Sequence, residues 1–242
     1  MMRGREPYRV FIGYDPMESL AAEVAKESLL STGTHPISVT MLNQEKLRLA
    51  GLYGRTAFQQ DTQRYDATDM RPFSTEFSFT RFLVPALCQW EGWALFVDGD
   101  VLFRGAIEEL FTHHNNAAYA VQCVQHDYTE SGTKMRGGVI QEAYPKKNWS
   151  SVMLFNCGHP SCYALTPFTV TNAYGSYLQQ FRWCTEDQIG ALPAKWNWLE
   201  GHHTQGQIDP IVVHYTRGTP NVPGYENVPF ADEWRAYAQT IN

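Results

Sequence analysis

The segment ALFVDGDVLF, residues 94–103, runs apolar residues into Asp98 and Asp100 with only Gly99 between them, then turns apolar again. So continuous an apolar run suits a strand covered on both faces, as in parallel-type sheets. Two carboxylates one residue apart cannot both end in a core, because burying unpaired charge costs several kcal/mol. They belong at the carboxyl end of the strand, where open α/β sheets place their ligands. A divalent cation is the partner that fits best: hard oxygen donors on one short turn suit Mg²⁺ or Mn²⁺, and such ions keep positions open for phosphate oxygens. Gly99 is expected to let the backbone approach that phosphate closely. The competing, purely structural reading has Asp98 capping a turn and Asp100 meeting Arg104.

Strands and helices alternate around this segment. YRVFIGYD (8–15) is a short β-rich run closed by Asp15 and Pro16, residues 17–33 carry apolar side chains at helical spacing and stop at Gly33, and HPISVTML (35–42) reads as a second strand. The stretch 43–75 is rich in polar and turn residues and is expected to be irregular or partly helical. FSFTRFLVPAL (77–87) is expected as a helix that Pro85 bends or ends. Later strands are expected at 117–124, 150–157 and 210–215, and helices at 168–181 and 231–239. Residues 125–149, with Gly132, Gly137, Gly138 and Pro145, are the expected mobile insertion.

Composition narrows the function. The 242 residues, 43% hydrophobic, make one sizeable α/β domain and not two. No apolar stretch reaches the about 18 residues of a membrane helix, and MMRGREPYRV lacks the apolar core of a signal peptide, which predicts a soluble, cytoplasmic protein. Cys88, Cys123, Cys157, Cys162 and Cys184 are odd in number and scattered in apolar context, which predicts free thiols. A net charge of −6 argues against a non-specific nucleic-acid binder. RGGVIQEAYPKK (136–147) is the sole locally basic candidate. The histidine pairs at 113–114 and 202–203, and CGHPSC (157–162), do not offer four ligands at finger-like spacing.

WALFVDGDVLFRGAIEELF resembles the strand, D-x-D motif and following helix of GT-A glycosyltransferases, especially family 8, which uses nucleotide sugars and Mn²⁺. RVFIGYD resembles that family's first strand and base loop, and FSFTRFLVPAL its helix with a donor-contacting basic residue. WSSVMLFNC is similar to its F-N-S-G-V-x-L-x-N strand, TEDQIGALPAKWN to its D-Q-x-x-L-N…W-N segment, and VVHYTRG to its late H-[YF]-x-G segment. The likeness spans residues 8–218. It implies an α/β GT-A fold, a Rossmann-like nucleotide-diphospho-sugar transferase with a mixed, mostly parallel sheet flanked by helices. It implies one domain over 1–242, with a nucleotide-sugar and metal half at 8–124 and an acceptor half with a C-terminal donor clamp at 125–242.

Carried over residue by residue, the resemblance implies that Asp98 and Asp100 hold the metal and that His214 is its third protein ligand. Imidazole is a good ligand for Mn²⁺. Tyr14 and Asp15 would meet the base and ribose, Arg81 the sugar or its diphosphate, and Asp187 and Gln188 would lie beside the sugar's reactive carbon. Two departures stand out. Trp149 occupies the place of the Asn in F-N-S-G, and no K-P-W follows His214, so a lysine that touches the diphosphate is missing. Arg217, beside Gly218 in the donor clamp, offers a replacement charge, because a guanidinium binds phosphate in bidentate fashion.

The implied reaction is transfer of a hexosyl group from a nucleotide-diphosphate sugar, a UDP-sugar, to an acceptor hydroxyl, with retention. A saccharide or lipid-linked saccharide is the implied acceptor. Trp149, Trp183, Trp196, Trp198 and Tyr174 are candidates for stacking on sugar rings, with Trp196 and Trp198 expected one inside and one outside. Three rivals fit less well. A nucleotidyltransferase needs a Gly-rich basic phosphate loop, which IGYDPMES lacks. A catalytically inactive sugar-nucleotide-binding protein has no need of Asp98, Asp100, His214 and Asp187 together. Transfer to a modified nucleic-acid base is disfavoured by the acidic balance.

Overall fold

The computed structural model describes residues 6–127, 132–134, 139–141 and 145–241. The chain enters through β1 (Tyr8–Tyr14), whose end is fixed by Asp15 capping the turn Pro16–Glu18. α1 (Ser19–Thr32) buries Ala21, Ala22, Val24, Ala25 and Leu29 and returns the chain to β2 (Ile37–Asn43), parallel to β1. After α2 (Gln44–Leu49), capped by Asn43, comes an antiparallel meander of β3 (Ala57–Gln60), β4 (Gln63–Asp66) and β5 (Pro72–Phe73). The stretch 43–75, expected to be irregular or partly helical, thus holds α2 and a small sheet, whose strands of two to four residues are too short to display alternation.

Residues 77–87 fold as α3 (Phe77–Thr80), a 3₁₀ turn at Arg81–Leu83 and α4 (Val84–Leu87). Pro85 lies in the first turn of α4, where its missing N–H leaves no bond unmade. β6 (Trp93–Val97) and β7 (Val101–Phe103) flank the acidic turn, and α5 (Glu108–His113) and β8 (Val121–Cys123) follow. β9 (Gly132–Lys134) and β10 (Val139–Gln141) pair as a hairpin. The rest of the expected insertion, at 128–131, 135–138 and 142–144, lies outside the described residues. The chain closes through β11 (Val152–Asn156), α6 (Pro167–Asn172), α7 (Gly175–Gln179), β12 (Ile189–Ala191), β13 (Trp198–Leu199), β14 (Val212–His214) and α8 (Ala231–Ala238).

The central sheet has the order β12-β8-β11-β6-β1-β2, with β11 antiparallel to both neighbours and the other pairs parallel. Both of its faces are covered. Phe11, Ala94 and Phe96 point into one apolar layer, while Val10, Ile12, Leu95 and Val97 point into the other. That double burial is why residues 94–97 read as uninterrupted apolar sequence. A second sheet, β13-β14-β7, receives the chain after the acidic turn, with β14 antiparallel to β7. Trp196 and Trp198 are both fully buried, in different layers, so neither faces outward as alternation suggested.

A buried ion pair fastens the meander to the C-terminal half. Arg55 donates to Asp66 at 2.9 and 2.5 Å and to the carbonyls of Val170 and Ala173 at 3.0 and 2.7 Å. Asp69 Oδ2 accepts from the Gly175 N–H at 2.8 Å. These bonds hold Ala173 and Tyr174 extended, which splits the helix expected at 168–181 into α6 and α7. All five cysteines are free, and no described helix is long and apolar enough to cross a membrane.

Candidate metal centre

Asp98 and Asp100 emerge where β6 stops. The Asp98 N–H donates to Ser151 O at 2.8 Å, extending the β11 pairing by one residue, and the Tyr215 N–H donates to Asp100 O at 3.0 Å. The register of β14 on β7 sets His214 opposite Val101, the residue after Asp100. Sheet pairing therefore carries a histidine from late in the chain to the acidic turn. Gly99 also meets a packing need that its sequence setting did not show. A Cβ there would stand 2.4 Å from Gly13 O, so Gly99 serves the close contact between the ends of β1 and β6.

The three side chains converge. His214 Nε2 lies 3.3 Å from Asp100 Oδ1 and 3.9 Å from Asp98 Oδ2, and one ligand atom from each residue fits within 4.8 Å of the others. Arg81 Nη1 is 3.0 Å from Asp98 Oδ1. All four residues are buried. Two hard oxygens and one imidazole nitrogen make a donor set that Mn²⁺ or Mg²⁺ fits. His214 Nδ1 makes no hydrogen bond, which leaves Nε2 as the nitrogen turned to the carboxylates. Arg104 pairs with Asp209 at 2.7 Å and Glu233 at 2.8 Å, so the structural reading that gave it to Asp100 does not hold. Among the described residues, no second group of three His, Cys, Asp or Glu side chains comes together in this way.

A cavity of about 680 Å³ opens from the trio. Its wall is lined by Arg81, Lys147, Ser150 and Thr216 and by residues from the segments 68–75 and 174–180. Tyr174, 63% exposed, is the aromatic candidate that reaches this wall; Trp183 is core, and Trp149 is half-buried with its indole N–H on His126 O at 3.0 Å. On the wall, Ser150 Oγ donates to Gln179 Oε1 at 2.9 Å and Gln179 Nε2 to Ser78 O at 2.6 Å. Lys147 and Gln179 had no distinguishing sequence signal beyond Lys147's place in the basic segment 136–147.

The remaining expected site residues stand away from the cavity wall. Asp15 is buried, and its carboxylate accepts from Met17 N at 2.9 Å, Arg64 Nη1 at 3.0 Å and Glu76 N at 3.0 Å. Tyr14 is half-buried and packs on the layer of Val10 and Ile12. Arg217 is exposed and lies over Gly201, whose Cβ position is 3.0 Å from Nη1; Gly218 is covered by the Tyr225 ring. Asp187 is exposed on the turn Glu186–Gln188, and Gln188 Oε1 accepts from Ser161 Oγ at 2.7 Å and Thr185 N at 3.1 Å. Behind His214, burial raises the Glu200 carboxyl above its usual range, with Arg217 and His214 opposing. His126 is pushed down to about 3 by burial and by the neighbouring histidines, so it stays neutral.

No family model matches the chain. Protein CDI of Arabidopsis thaliana is 42% identical over 234 residues, covering 95% of this chain and 85% of that protein. The bifunctional glycosyltransferase WbbM superposes with a TM-score of 0.63 at 13% identity, over 97% of this chain and 50% of its own. This chain thus spans about half the length of WbbM. The galactosyltransferase LgtC, solved with donor and acceptor sugar analogs, superposes with a TM-score of 0.55 at 12% identity, over 96% of this chain and 95% of its own. At such identities these likenesses concern the fold, which is that of the GT-A glycosyltransferases.

Proposed function

This chain belongs to the family of the Arabidopsis thaliana Protein CDI, and we propose that it is a metal-dependent glycosyltransferase of the family 8 type. It moves a hexosyl group from a UDP-sugar to a hydroxyl of a saccharide or glycolipid acceptor, with retention, in the cytoplasm. The observation that carries this reading is the meeting of Asp98, Asp100 and His214 on one cavity. Asp98, Asp100 and His214 would hold Mn²⁺ or Mg²⁺, which supplies Lewis acidity to the diphosphate leaving group.

The chain's own residues prepare the rest. Arg81 pairs with Asp98 and is itself fixed by Phe77 O and Ser150 O, so the carboxylate is held in a defined position. Burial of these groups lowers the local dielectric and strengthens their charges. Ser78, Ser150 and Gln179 form a bonded polar wall suited to sugar hydroxyls. Asp187 and Gln188, off the cavity, are given no step. Calorimetric titration with a panel of nucleoside diphosphates and nucleotide sugars, with and without Mn²⁺, tests the reading. Metal-dependent binding of UDP with slow hydrolysis of one UDP-sugar is expected; binding of none of them overturns it.

A further inference from the structure

The link from α4 to β6 is strained, and two thiols meet beside it. Gln89, Trp90 and Gly92 are left-handed, at φ 54°, 53° and 63°, a conformation that non-glycine residues keep only when their surroundings enforce it. Here the enforcing groups are the turn after β11 and the side chain of Arg9. Cys157 N donates to Gly92 O at 2.8 Å, Trp90 Nε1 to Cys162 O at 3.1 Å, and Arg9 Nη2 to Trp93 O at 3.2 Å. Cys88 stands directly before this link and Cys157 directly after β11. Both pack in the apolar layer of Phe11 and Phe96, and their thiols share a hydrogen bond.

The two thiols are not alike. Cys88 lines a second cavity, of about 430 Å³, whose wall also carries Arg9 and Lys46 and shares no residue with the cavity of the metal centre. Cys157 is fully buried and off that wall. Reactive cysteines have a cation at hand and a route to solvent, whereas apolar burial makes a thiol inert. The hydrogen bond from Cys157, and then Arg9, lower the Cys88 thiol against the opposing effect of burial; Cys157 is raised by the same bond and by burial. Cys184, the one cysteine that is only half-buried, is pushed up to about 12 by burial. We propose that Cys88 is a peroxide-sensitive thiol and that Cys157 resolves it to a disulfide, which clips the α4–β6 link to the exit of β11. In the first step the Cys88 thiolate sulfur attacks one oxygen of hydrogen peroxide. The O–O bond breaks with its electron pair on the other oxygen, which takes up the proton lost by Cys88 and leaves as water. Cys157 sulfur then attacks the sulfur of the Cys88 sulfenic acid, the S–O bond breaks, and the oxygen leaves as a second water with the Cys157 proton. The two thiols together give up the two electrons that the peroxide takes.

The test uses the full chain, oxidised with increasing hydrogen peroxide and mapped by mass spectrometry of unreduced peptides. A peptide cross-linked through Cys88 and Cys157 is expected at the lowest effective dose, lost on adding dithiothreitol, with Cys184 still open to alkylation. In Cys157→Ser, a dimedone adduct on Cys88 replaces the cross-link. Arg9→Gln slows alkylation of Cys88 by iodoacetamide about threefold or more and leaves that of Cys184 as it was. Unslowed alkylation removes Arg9 from the site. Should the variants fail to fold, the unaltered chain decides by itself. Oxidation of another cysteine before Cys88, a cross-link from Cys88 to a different cysteine, or a Cys88 still reduced at a dose that oxidises the exposed Met17 and Met70 overturns the proposal.

Discussion

Two acidic turns lie side by side where parallel strands β1 and β6 end, and they have come to opposite uses. At the end of β1, Asp15 already accepts three hydrogen bonds, one of them from Arg64, and its work is to tie the first turn to the residues before α3. At the end of β6, Asp98 and Asp100 face a histidine and a cavity. Both turns carry the same functional group at the carboxyl edge of the sheet, the place where ligands bind in open α/β folds. What separates a clamp from a binding site here is what the carboxylate faces: Asp15 meets backbone donors and Arg64, whereas Asp98 and Asp100 share a histidine and open on a cavity.

The sharpest break of that comparison is at Asp100. Replacing Asp100 with Asn should cut turnover about a thousandfold, equivalent to about 4 kcal/mol of transition-state stabilisation, while the circular dichroism spectrum and melting curve stay as they were. Full activity in a folded variant would remove the metal role from the turn. His214→Ala sharpens the same side: affinity for Mn²⁺ should fall about ten- to a hundredfold, more than affinity for metal-free nucleotide. An unaltered metal titration would take His214 out of the centre.

On the other side, Asp15→Asn should cost about 1 kcal/mol of stability by thermal unfolding, since Asn keeps one acceptor oxygen but loses the charge facing Arg64. Its Mn²⁺ titration should match that of the unaltered protein, and a metal defect there would erase the distinction between the two turns. The smallest effect belongs to Arg217→Ala. An exposed cation off the cavity should change kcat/KM by less than about twofold, and a larger drop would return it to the donor site.

β1, β6 and β11 were legible because strands buried on both faces leave unbroken apolar runs, β2 because its apolar residues alternate with exposed Ser38 and Thr40, and the acidic turn because charge interrupts one of the apolar runs. His214 was legible through family likeness; its meeting with Asp100 depends on strand pairing between β14 and β7, which local pattern does not encode. The meander at 57–73 escaped because its strands are shorter than a readable period. The break between α6 and α7 is made by Asp69 and Arg55, about a hundred residues away in sequence, against a local helical pattern. Asp15's occupancy is set by Arg64 and Glu76.

The contact of Gly13 with Gly99 has a consequence for anyone seeking to retarget this protein. Beneath the two carboxylates, peptide meets peptide, and a Cβ on Gly99 has no room. That floor offers a designer no side chain to exchange. The cavity wall is the reverse: Met70 and Tyr174, 64% and 63% exposed, project from segments already anchored by Asp69 and Arg55. Libraries aimed at new acceptors belong on that wall, where residues can be swapped without reopening the joint between the strands.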